Sequence, residues 1–190
     1  MATVVAVAES TGAPADLPLT IQRAAGSDLD VVLEILREAA HGRRPGMDPV
    51  WGQRFPDVAR DVQAGLVYLA RLGDQPVGVF VLRWSDDRVW GPDDGEAGYV
   101  HRLAARQAFA GKGLGRRLLA SAAAAAAARR RTWLRLDCDR HNRPLRAYYE
   151  RLGFTHVRDV DALPRTTRPG TRDASLYQCR AADLLLPGRG

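Results

Sequence analysis

The stretch that most constrains this chain runs from Tyr99 to Leu119. Tyr99-Val-His-Arg-Leu-Ala-Ala105 is an apolar strand pattern, Ala110-Gly-Lys-Gly-Leu-Gly-Arg116 is a glycine-rich turn, and Leu118-Leu119 opens a helical run. A strand that breaks into glycines and restarts at once as a helix aims the helix's first, unbonded N–H groups and its positive end at one place. Such a place suits a phosphate.

Two familiar phosphate loops do not fit. A Walker loop has four residues between its first glycine and Gly-Lys-Ser/Thr, whereas Gly111 directly precedes Lys112 and Leu114 stands where a magnesium-holding hydroxyl is needed. A dinucleotide loop starting at Gly113 and Gly115 needs a third glycine at position 118, which is leucine. Further on, Trp133-Leu-Arg-Leu-Asp-Cys138 reads as a largely buried strand. Asn142-Arg-Pro-Leu-Arg-Ala-Tyr-Tyr-Glu-Arg-Leu-Gly-Phe154 reads as a helix with proline in its first turn and glycine at its end. Asn142, Leu145, Tyr149 and Leu152 share one face of that helix.

The two stretches together resemble motifs A and B of the GNAT (Gcn5-related) N-acetyltransferases. Motif A is a bulged strand, a Gln/Arg-x-x-Gly-x-Gly/Ala loop and a helix; Ala110 replaces the usual Gln or Arg. Motif B ends Asn-x-x-Ala/Leu-x-x-x-Tyr-Glu-x-x-Gly-Phe, matched here from Asn142 to Phe154. The resemblance covers about residues 19 to 182. It implies a three-layer α/β/α fold with a mixed, mostly antiparallel sheet of about six to seven strands, splayed between the fourth and fifth.

It also implies an acetyl-CoA-dependent N-acetyltransferase with a direct ternary-complex mechanism. The backbone of Leu103, Ala104 and Ala105 would pair with the pantetheine arm. Ala110, Gly111, Lys112, Gly113, Leu114, Gly115 and Arg116 would surround the pyrophosphate, with Arg106 and Arg117 adding to a positive rim. Asn142 would contact the CoA arm, and it reads equally as an N-cap.

Tyr149 would protonate the departing thiolate, since a phenol (pKa ~10) can serve a thiol (pKa ~8.5) at short range. A core tyrosine on an apolar stripe is the competing reading; Tyr148 lies about 100° round the helix from it. For the base, His101 matches one of two relay histidines proposed in serotonin N-acetyltransferase, and an imidazole pKa of ~6.5 suits the task. A structural histidine is the alternative, and Glu96, acting through water, is the other candidate. By two-residue alternation Tyr99, His101, Leu103 and Ala105 share a face.

The acceptor expected is a primary amine of a small molecule. A protein N-terminus or lysine, and a non-catalytic acyl-CoA-binding module, are the alternatives. Trp51 and Phe55, in a Gly/Pro-rich segment from His41 to Pro56, and Tyr99 are candidate substrate walls, with simple packing of the loop against the core as the alternative for the first two. His41, His141 and His156 lack metal-ligand spacing, so no metal is expected. Cys138, in a buried strand, is not an activated nucleophile.

With 190 residues and 46% hydrophobic composition the chain can bury one substantial core. The expected organisation is a flexible tail over 1–18, one domain over 19–182 and a short tail over 183–190. The net charge of +6 is nearly all arginine, Lys112 being the only lysine. The arginines are spread along the chain, and the run Arg129-Arg-Arg131 reads as a solvated helix end, so no nucleic-acid partner is expected. Two cysteines make no disulfide framework, and no run approaches the ~20 apolar residues that span a bilayer. A cytoplasmic location and no membrane association are expected, as is a monomer or homodimer, and arginine dominance suggests a GC-rich bacterial genome.

Elsewhere, Ser27-Asp28 should cap a helix over Leu29–Ala40, and 85–97 and 161–172 read as polar loops. Ala122 to Ala128, seven alanines in succession, should continue a helix over 113–130 rather than form disorder.

Overall fold

Strand β4 (Gln75–Arg83) is buried on both faces from Val77 to Leu82, as its unbroken apolar run demands. In a computed structural model that describes residues 5–6, 18–41, 56–164 and 171–186, the chain forms two compact units. One comprises residues 1–81 and 102–118; the other comprises 82–101 and 119–190.

In the first unit β1 (Val5–Ala6), β2 (Leu19–Arg23), β3 (Val67–Leu72) and β4 pair antiparallel in that order. Val5 stands opposite Ile21, so part of the segment expected as a tail adds a two-residue strand. Helix α1 (Leu29–His41) presents Val32, Ile35 and Leu36, and α2 (Pro56–Gln63) presents Val58 and Val62. These side chains close over Val67, Leu69, Val79 and Val81. The i, i+3, i+4 spacing puts each set on one helix face. Helix α1 is not capped as expected: Gly26–Asp28 forms a 3-10 turn, and Asp28 Oδ2 accepts from the Ala25 N–H at 2.8 Å. The other oxygen, Oδ1, lies 2.7 Å from Arg71.

The second unit contains α3 (Asp87–Trp90), a short helix within the segment expected as a loop, and the first part of β5 (Ala97–Ala105). After helix α4 (Leu114–Ala128) come β6 (Trp133–Asp139), α5 (Arg143–Arg151), β7 (Thr155–Pro164), β8 (Thr171–Arg180) and α6 (Ala181–Leu184). Both β7 and β8 extend into the segment expected as a loop over 161–172, and α6 begins the expected C-terminal tail. Strands β5 and β6 are parallel, whereas β8 pairs antiparallel with both β6 and β7. The expected mixed, mostly antiparallel α/β fold is therefore present. The β5–β6 ladder runs only from Ala97↔Trp133 to Val100↔Leu136 and then stops, which is the expected splay between the fourth and fifth long strands.

The alanine run has a packing reason. Ala122, Ala123 and Ala126 are fully buried, and a Cβ placed on Gly98 of β5 would come within 3.3 Å of the Ala126 Cβ. Helix and strand approach so closely that only the smallest side chains fit between them. Helix α4 ends with the Arg131 N–H on Ala126 O and the Arg130 N–H on Ala127 O, and Arg130 takes a left-handed φ of 59°. The arginine run is not simply solvated: Arg129 lies 4.3 Å from the Trp84 ring centre and Arg131 is 3.5 Å from Asp93.

Candidate active site

The donor-side elements lie in the first unit. Gln107–Phe109 forms a 3-10 turn after β5, and the chain then reaches Gly111 and Gly113 with φ of 74° and 75°. Both angles are natural to glycine and strained for any other residue. A Cβ built on either would meet no protein atom within 4 Å, so the loop is bordered by open space. Helix α4 starts directly afterwards at Leu114, and its first-turn N–H groups have no intrahelical carbonyl to reach. One expectation needs correcting: the Lys112 N–H turns inward to Phe109 O at 3.3 Å rather than outward. A second concerns Arg106, which is not part of a free rim. Its Nη1 lies 2.9 Å from both Glu34 Oε1 and Glu38 Oε2, and its Nε donates to Pro76 O at 2.9 Å. That pairing holds the Glu34 carboxyl below its usual range.

Strand β5 does not alternate evenly into the loop. Arg102 takes a φ of 50°, left-handed, which resets the two-residue count. Tyr99 and His101 keep the expected spacing, but Leu103 and Ala105 cannot be assigned to their face by counting. Arg102 reaches Asp61 Oδ2 at 3.3 Å and Asp57 Oδ2 at 4.0 Å.

The second unit holds the candidate acid and base residues. His101 is half-buried, and its Nε2 lies 3.5 Å from Asp86 Oδ2, just ahead of α3. Asp86, His101 and Asp137 each bring one nitrogen or carboxylate oxygen within 4.8 Å of the others. Such a trio can hold a proton or a divalent cation. Reading the histidines by spacing missed it, because its members come from three separate elements. Glu96 is exposed at the start of β5; its N–H donates to Asp94 Oδ1, and its carbonyl accepts from the Trp133 N–H.

Tyr99 is nearly fully buried, and its hydroxyl accepts from Arg135 Nη1 at 3.1 Å. Burial raises its phenol above the ordinary value against the lowering pull of Arg135. Arg135 also reaches Asp94 at 3.0 Å and stands 5.1 Å from the Trp90 ring centre. Burial works to raise the Asp94 carboxyl, but the Glu96 N–H and Arg135 outweigh it and hold the group low.

On α5, Asn142 Oδ1 accepts from the Leu145 N–H at 3.2 Å, so Asn142 caps the helix. The far end closes with the Phe154 N–H on Tyr149 O and the Gly153 N–H on Glu150 O, both at 3.0 Å, with Gly153 left-handed at φ 91°. This paired closure brings the Tyr149 and Phe154 rings to 5.7 Å. Tyr149 is buried and Tyr148 half-buried, as the helical phase requires. Tyr149 also lies 6.2 Å from the Tyr177 ring, whose hydroxyl donates to Glu150 and accepts from Arg146 Nε. Trp51 and Phe55 fall outside the described residues.

The acetyltransferase (GNAT) family matches residues 31–154, more than half of the chain. This protein belongs to the GNAT acetyltransferase family. It is an acetyl-CoA-dependent N-acetyltransferase. The chain is 33% identical over 128 residues to YesJ, an uncharacterized N-acetyltransferase of Bacillus subtilis strain 168, covering 64% of this chain and 69% of that one. Its fold is similar to that of a GNAT-family acetyltransferase from Listeria monocytogenes 4b F2365, with a TM-score of 0.67 at 20% identity over 86% of this chain and 95% of that one. The Salmonella typhimurium protein yncA, solved with its cofactor acetyl-CoA, gives 0.60 at 18% identity over 90% and 96%. Two left-handed glycines bordered by open space, directly ahead of a helix start, make this loop chemically suited to an anionic group such as a cofactor phosphate. Among the described residues no helix is long and apolar enough to cross a membrane.

Proposed function

We propose that this acetyltransferase modifies a primary amine of a small molecule by direct attack of the amine on the thioester. The observation that carries the donor half is the pair of left-handed glycines, Gly111 and Gly113, at the start of α4. In this reading main-chain groups of Gly111, Gly113, Leu114 and Gly115 hold the pyrophosphate, with Ala110, Lys112 and Arg116 beside it. Leu103, Ala104 and Ala105 pair with the pantetheine arm, and Asn142 supports that arm while capping α5. Acetyl-CoA supplies an activated acyl group. His101 takes the proton that the amine sheds as the new N–C bond forms, and Tyr149 gives a proton to the sulfur as the C–S bond breaks. The products are the acetylated amine and CoA thiol.

His101 is favoured over Glu96 as base because it is half-buried beside Asp86, whereas Glu96 is exposed. The same half-buried setting favours a compact acceptor, with Trp51 and Phe55 as candidate walls, while Tyr99, buried and held by Arg135, would back the pocket from behind. We further infer that residues 19–182 work as one acetyltransferase domain in a bacterial cytoplasm, in keeping with two buried free thiols, Cys138 and Cys179.

A panel of small amines, peptide N-termini and lysine peptides, scored by release of CoA thiol, tests the reading. Turnover confined to peptides would overturn the small-molecule acceptor. Acetyl-CoA binding without turnover on any member would point to a non-catalytic acyl-CoA module.

A further inference from the structure

We propose that Asp61 and Glu38 are positioning residues for the acyl-CoA donor, each acting through an arginine at one end of the segment Leu103–Ala105. The inference rests on the reading that this backbone pairs with the pantetheine arm. The two arginines are Arg102 and Arg106, and each is tied to acids on a different helix. Arg102 meets Asp61 and Asp57 of α2, and Arg106 meets Glu34 and Glu38 of α1.

Three observations give the ties a function beyond holding helices to a strand. Arg102 is left-handed inside a strand, a conformation that a residue with a Cβ keeps only where its surroundings enforce it. Its principal partner, Asp61, is only 5% exposed, so this carboxylate sits where it would be costly without a cation. At the other end Glu38 holds two groups at once: Oε2 meets Arg106, and Oε1 accepts the Gln107 N–H at 2.6 Å. Arg106 also fixes its strand to β4 through Pro76 O, and its own N–H donates to Val77 O. The three residues between the arginines are thus set before any ligand arrives. A flexible pantetheine arm then meets a backbone whose ordering cost has already been met in folding.

This proposal concerns one half of the donor, which makes it separable from general damage. The pantetheine arm lies against Leu103–Ala105, whereas the nucleotide and its pyrophosphate lie against the glycine loop. Asp61→Asn, Glu38→Gln and the double variant of the full chain can be titrated by calorimetry with acetyl-CoA and with 3′-phospho-ADP, the nucleotide half that lacks the arm. Each single variant should weaken acetyl-CoA by about threefold to fivefold and the double variant by about tenfold or more, with 3′-phospho-ADP changed less than about twofold. Acetyl-CoA affinity unchanged in both single variants, or both ligands weakened in parallel, would overturn the proposal. The single variants carry the test if the double variant fails to fold. Gly113→Val separates this outcome from failure of the donor-site reading. If that variant binds both ligands normally, the pyrophosphate assignment itself is wrong, whatever the clamps do.

Discussion

The glycine loop and the His101 region are built from different materials. Around Gly111 and Gly113 the chemistry is main-chain: two left-handed glycines, a helix start and open space. Around His101 it is carried by side chains from distant positions, with Asp86 and Asp137 beside the histidine and Arg135 joining Tyr99, Asp94 and Trp90. A main-chain site is fixed by local conformation and fails when one φ or one Cβ is wrong. A side-chain site is fixed by packing and degrades by steps as partners are removed.

If that contrast holds, the largest effect belongs to the loop. Gly113→Val forces a β-branched residue into φ 75° and places its side chain in the open space, so acetyl-CoA affinity should fall by more than about a hundredfold with the fold retained. Retained micromolar affinity in calorimetry would break the contrast. Next comes Tyr149→Phe, which keeps the ring that packs on Phe154 and Tyr177. A proton donor should lose roughly 10²-fold in kcat with near-normal acetyl-CoA affinity, and Tyr148→Phe should be nearly silent. A core tyrosine would instead lose only ~1 kcal/mol of stability, seen in a melting curve.

An effect of similar size, read in the pH profile rather than in kcat alone, is expected at His101. His101→Gln should lower kcat/KM by roughly 10²-fold and flatten the acidic limb of the rate profile. An unchanged limb there, with the limb lost in Glu96→Gln, would move the base to the glutamate. Asp94 sharpens the contrast at the level of a single ion pair. Its carboxyl is held low, so its contribution is present above the ordinary carboxylate range and is lost as pH falls through the lowered value. Asp94→Asn should therefore cost at most about 1 kcal/mol at neutral pH, and the gap from the parent should close as the solution is acidified. Denaturant curves at three pH values would measure it. The smallest change is Arg130→Gly, which should raise stability by up to about 1 kcal/mol by relieving a left-handed arginine at the end of α4.

What could be read from the residues follows the same division. The loop, the capping role of Asn142 and the glycine end of α5 were legible because Gly, Asn and Pro report local backbone geometry directly. The alanine run was legible as helix because propensity and burial agree there. The left-handed Arg102 was not, since arginine gives no sign of positive φ, and it upset the face assigned to Leu103 and Ala105. Arg106 looked like a phosphate contact because the acids that engage it stand on α1, far away in sequence. Asp86 gave no signal either: it lies in a polar segment whose short helix, Asp87–Trp90, was missed. Pairings of this kind are set by tertiary contact, and no local pattern encodes them.

The paired closure of α5 also bears on how the gene can drift. From Tyr149 to Phe154 the peptide groups count one another, the Phe154 N–H reaching back to Tyr149 and the Gly153 N–H to Glu150. Substitutions at the outward positions Glu150 and Arg151 leave that count intact. Gain or loss of a single codon between 149 and 154 changes it, and turns the Tyr149 ring away from Phe154. Within this span the outward residues can change, whereas the length cannot.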